Sequence, residues 1–111
     1  MNLYMVHVGF YDHSIGEGIY ESHINYFTAG EDPKDAKARI FSLKEFQDKK
    51  MHIDGIKEIS SVDGYEVQLV ESSQATKGKV FSREIIVPDA QGSSKATIEN
   101  DLFTPMTQDP A

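Results

Sequence analysis

Residues 49–72 read KKMHIDGIKEISSVDGYEVQLVES. Val62-Asp63-Gly64 lies between two apolar segments, and an Asp-Gly pair in that setting marks a β-hairpin. Two registers fit. A two-residue loop places Tyr65, Val67 and Leu69 on the same face as Val62, Ser60 and Glu58. A three-residue loop, with Gly64 left-handed, sets Ile59 opposite Val67 and Ser61 opposite Tyr65. The second pairs more apolar surface and is the expected one. Upstream, the apolar parity changes between Ile53 and Ile56, so Gly55 marks a bulge or bend.

Working outward, GEDPKDAKARIFSLKEFQDKK (30–50) predicts the one main helix. Asp32 is placed to cap it, Pro33 suits the first helical position, and Asp35 lies at the positive end of the helix dipole. Ala36, Ile40 and Leu43 form one stripe, flanked by Phe41 and Phe46, and that stripe must cover a sheet.

Before the helix, LYMVHVG (3–9) predicts a strand that is apolar on both faces, and hence central. It is read as ending at Gly9. IYESHINYFTAG (19–30) predicts a second strand. Period two puts Tyr20, Ser22, Ile24 and Tyr26 on the core side, and Glu21, His23, Asn25 and Phe27 on the other. KGKVFSREIIVPD (77–89) predicts a further strand stopped by Pro88. In the remainder, Ser93 or Ser94 is placed to cap a short helical turn through Asn100, and LFTPM (102–106) reads as an apolar docking hook. The order β-β-α-β-β, plus one more strand, predicts an α+β fold: a mostly antiparallel sheet with one main helix on one face. The expected organisation is a single domain over 1–88, with 89–111 as a tail or docking segment.

Composition narrows the function. With 18 Asp and Glu against 11 Lys and Arg, the net charge is −7, which repels a phosphate backbone or an anionic membrane surface. No stretch approaches the roughly 20 apolar residues of a membrane span. The opening MNLYMVHVGFY lacks a basic run, so no secretory signal is expected and a cytoplasmic location is. The absence of cysteine removes thiolate zinc sites, iron–sulfur ligation, disulfides and cysteine catalysis.

Four residues form a candidate polar cluster. His52 and Asp54 project from one face of a strand, and Glu21 and His23 share a face of another. Should the faces coincide, two imidazoles and two carboxylates converge, with His7 available from the first strand. Such groups serve as ligands of zinc or iron, or as an acid–base pair. A plainer role is also open: a histidine can fix strand register, and Asp54 can accept backbone N–H bonds at a bulge. Asp63-Gly64 is explained by turn chemistry. Ser14 beside His13 has no orienting acid, and Gly-Glu-Gly at 16–18 lacks the lysine of a phosphate loop.

LYMVHVG, ESHI, MHIDGI and VDGYEVQLV occur in an order and spacing that resembles a bacterial family, the domain of unknown function numbered fifteen forty-three. Its members read roughly L-F-M-V-x-x-G-G, E-x-H-D, L-H-I-D-x-W and V-D-G-Y. The resemblance spans about residues 2–70 and falls on Glu21, His23, His52, Asp54, Asp63, Gly64 and Tyr65. Phe10, Ile24 and Ile56 depart from the pattern. Tandem copies in the family imply that a one-copy chain forms a homodimer. The expected function is a non-catalytic binding or interaction module using the polar strand face or the loop at 10–19. The alternative is a small metal-assisted or acid–base enzyme built on His23, His52, Asp54 and Glu21. In a third reading, residues 88–111 dock a partner.

Overall fold

The computed structural model describes residues 1–14, 16–86, 93–101 and 109–110. The fold is α+β. β1 (Asn2–Tyr11) and β2 (Glu21–Gly30) form a long antiparallel pair, in register from Asn2 opposite Gly30 to Tyr11 opposite Glu21. β3 (His52–Glu58) pairs with the other edge of β1, which makes β1 central. β1 does not end at Gly9. Phe10 follows on the core face, fully buried opposite Ser22, and that burial carries the strand on to Tyr11.

Side chains alternate as the sequence requires. Tyr4, Val6, Val8 and Phe10 of β1, and Ser22, Ile24, Tyr26 and Thr28 of β2, are buried on one face. Tyr20, expected on that side, precedes the strand and is exposed. Burial of each large apolar side chain stabilises the fold by about 1.5–3 kcal/mol, so this face sets the register.

The expected main helix divides in two. α1 (Pro33–Phe41) and α2 (Lys44–Asp48) meet at Ser42-Leu43, where Leu43 is extended. The Ser42 hydroxyl donates to the Arg39 carbonyl at 2.7 Å, and the Gln47 side chain donates to the Phe41 carbonyl at 3.0 Å. These bonds replace helical ones at the break. The break turns Phe46 into the core with Ala36 and Ile40, while Leu43 packs at its margin and Phe41 stays exposed. The expected cap is present: Asp32 accepts the Asp35 amide at 2.7 Å. Asp35 reaches back to the Glu31 amide at 2.9 Å and meets Arg39. These bonds, the Glu31 amide first, hold its carboxyl below the usual range.

β3 carries the expected bulge. Val8 faces Ile53 and His7 faces Gly55, so Asp54 is the extra residue. Ile53 and Ile56 thereby both pack on the core despite lying three apart.

The hairpin adopts the other register. β4 (Ser61–Val62) pairs with β5 (Tyr65–Glu66), with Val62 opposite Tyr65 and Ser61 opposite Glu66. Asp63 (φ 51°) and Gly64 (φ 81°) are both left-handed, as a two-residue type I′ turn demands. Val62 and Tyr65 are exposed, so pairing apolar residues gained no burial and the turn decided the register. Residues 67–70 are not strand.

β6 (Lys79–Ile86) is the expected further strand. It pairs with β7 (Ser93–Asp101), where a helical turn was expected; ladder bonds to β6 outweighed the capping serines. β8 (Asp109–Pro110) pairs with β2 at Ser22 and His23. Pro88 and the LFTPM segment lie outside the described residues. Among the described residues, no helix is long and apolar enough to cross a membrane.

Candidate metal centre

The helices cover one face of the sheet, and the other face carries the polar residues. Gly9 is paired with His23 on one side and His52 on the other, so these three form a row across β2, β1 and β3. Glu21 lies two residues before His23, on the same face. Asp54 lies two residues after His52 and shares its face. The bulge that follows sets Gly55 opposite His7, and the four expected residues converge above Gly9.

The contacts are close. His52 Nε2 lies 2.8 Å from Glu21 Oε1 and 3.2 Å from Asp54 Oδ1. His23 Nε2 lies 3.2 Å from Glu21 Oε1 and 3.2 Å from Asp54 Oδ2. Each imidazole nitrogen thus faces two carboxylate oxygens but carries at most one hydrogen. Two N–H groups must serve four contacts.

Gly9 is the floor of the cluster. A Cβ there would collide with Glu21 Oε1 and lie 2.7 Å from both Asp54 Oδ2 and His52 Nε2. Reading Gly9 only as a strand end missed this role. The signal was present: with outward positions 7 and 9 on β1, flanking ESH and HID strands leave a gap at the glycine.

His7 extends the cluster by one row. Its Nδ1 lies 2.7 Å from Asn25 Oδ1, and in the neutral tautomer that donates there Nε2 keeps its lone pair. Its ring stacks on His23, with centroids 4.9 Å apart and planes 9° from parallel. The cluster is open to solvent: the His23 side chain is 19% exposed and that of His52 49%.

Away from the cluster, Asp12 accepts both the hydroxyl and the amide of Ser14, which lowers its carboxyl pKa. Lys49 sits 3.9 Å from Asp12 and 5.2 Å from the Phe10 ring centroid, tying the loop after β1 to the end of α2. His13 does not join the row; its ring packs against Gly18, where an added Cβ would lie 2.7 Å from Nδ1. Tyr65 is exposed at the hairpin, away from the described site contacts.

The fold and cluster define a class: a small α+β domain with a histidine–carboxylate centre on the face of its sheet opposite the helices. Neither a protein-family model, nor a curated protein, nor a solved structure matches the chain.

Proposed function

We propose that the chain is a binding module whose ligand is a divalent transition-metal ion, held by Glu21, His23, His52 and Asp54. The observation that carries this is the set of donor separations above Gly9, 2.8–3.2 Å. Metal–ligand bonds of about 2.1 Å give polyhedron edges of about 3.0–3.4 Å, so each of these four nitrogen–oxygen contacts lies near coordination spacing. A dication would also satisfy the nitrogen–oxygen contacts that two hydrogens cannot. Mixed imidazole and carboxylate donors suit zinc, iron or manganese better than calcium, which prefers oxygen alone. The charge of −7 favours approach of a cation.

Exposure of His52 and Asp54 favours a second reading, metal-assisted catalysis. An ion on this face keeps coordination positions open to water or substrate, as catalytic sites require.

The test is zinc content after dialysis of wild-type and Asp54→Ala protein, with circular dichroism on both. The expected result is bound zinc in the wild type and its loss in the variant with the fold intact. A folded wild type that retains no zinc at micromolar free metal would overturn the proposal.

A further inference from the structure

We infer that this face binds two divalent ions bridged by Asp54. Glu21, His52 and Asp54 Oδ1 hold one, and His7, His23 and Asp54 Oδ2 hold the other. This rests on the metal reading above and divides its ligands between two positions.

The donors fall into two trios. One donor atom each from Glu21, His52 and Asp54 lies within 4.8 Å of the others, and the same holds for His7, His23 and Asp54. Asp54 is the shared member, and its two oxygens meet different histidines: Oδ1 lies against His52 and Oδ2 against His23, each at 3.2 Å. That is the posture of a carboxylate spanning a metal pair, whose ions stand about 3.5–4 Å apart.

A single ion leaves His7 without a purpose. Yet His7 is prepared as a ligand is: one ring nitrogen is fixed by Asn25, and the ring plane is fixed against His23. Space exists on its side as well. His7 is opposite Gly55, where an added Cβ would meet nothing within 4 Å. The hollow there, about 420 Å³, is bordered by Met5, His7, Asn25, Asp54 and Lys57. Lys57 is exposed, and its flexible stem lets the ammonium turn to solvent. Gly9 and Gly55 thus open two adjacent gaps on one face, with the bulged Asp54 between them.

Two dications against two carboxylates leave a local charge of +2. The open positions between the ions therefore suit a bridging anion such as hydroxide or phosphate.

The experiment is zinc stoichiometry at saturation on the full chain, by equilibrium dialysis and metal analysis, in wild type, His7→Ala, His7→Gln and His52→Ala. Manganese-loaded wild type, examined by electron paramagnetic resonance, gives a readout independent of any variant. The expected results are two zinc ions per chain in the wild type, one in each folded variant, and a spin-coupled manganese pair. One ion in the wild type, unchanged by loss of His7, overturns the bridged pair and leaves the metal reading standing. Two ions in His7→Ala and His7→Gln place the second elsewhere and also overturn it. No zinc in any protein removes both readings.

Discussion

Replacing Gly9 with alanine separates the site from the fold. Gly9 has no left-handed backbone, so alanine is conformationally acceptable there. A mid-strand glycine costs roughly 0.5–1 kcal/mol relative to alanine, which favours the variant. The new methyl points away from the core, onto the face opposite the helices. There it would lie 2.7 Å from Asp54 Oδ2 and from His52 Nε2, and closer still to Glu21 Oε1. Ordinary contact begins near 3.4 Å, so Asp54 and His52 must each retreat by about 0.7 Å, and Glu21 by more. All three are ends of side chains open to solvent, and they can move without disturbing backbone. Metal–ligand distances in a well-formed site fall within about 0.2 Å of their ideal values, so shifts of this size spoil the ligand geometry. The expected outcome of Gly9→Ala is a zinc Kd raised at least about 100-fold, or roughly 2.7 kcal/mol, with thermal stability within about 1 kcal/mol of wild type. Competition against a chromophoric chelator gives the first quantity and thermal denaturation followed by circular dichroism the second. A folded variant with zinc affinity within threefold of wild type would refute the view that the cluster is built over the glycine.

Two further perturbations test the scaffold. Ser22 is fully buried on the core face, and its hydroxyl has no partner among the described residues; Ser22→Ala should therefore raise stability by about 1 kcal/mol, read from urea midpoints. Asp35 has a folded-state pKa below its ordinary value of 3.8, so its contribution is present above pH 3.8 and is lost as pH falls through the lower folded value. Asp35→Ala should accordingly lower the melting temperature at pH 7, and the gap to wild type should close below pH 3.8; a gap that persists at pH 2 would contradict this.

Much of the fold was legible where a single periodicity governs. The alternation of Ser22, Ile24 and Tyr26 against Glu21, His23 and Asn25 needs only a strand with one buried face, and the structure has that face. The bulge was legible because Ile53 and Ile56 cannot share a face in a regular strand. The hairpin register was not, because apolar pairing carries weight only where it buries surface, and Val62 and Tyr65 remain exposed. The helix break depends on side-chain bonds to the Arg39 and Phe41 carbonyls, and no periodic pattern encodes them. The strand at 93–101 exists through its ladder to 79–86, a long-range pairing that a local reading of SSKATIEND does not contain.

The candidate site was half legible, and the missing half is the more informative. The sequence supplied Glu21, His23, His52 and Asp54, but two backbone features shape the ground on which they meet. The first is the bulge. His52 and Asp54 share a face with or without it, and the extra residue keeps Ile56 in the core and sets Gly55 opposite His7. The second is the missing side chain at Gly9, on the strand between the two histidines. A cluster needed only to hold strand register would not require the missing side chain at Gly9, since Val6, Val8, Ile53 and Ile56 already fix the register from the opposite face. Nor do these exposed contacts add much stability, because pairs so open to solvent contribute about 0–1 kcal/mol. The polar face therefore combines a costly glycine with a small structural return. That imbalance is expected where residues are arranged to bind something, and it is the strongest argument for reading the row Glu21, His23, His52 and Asp54 as a site.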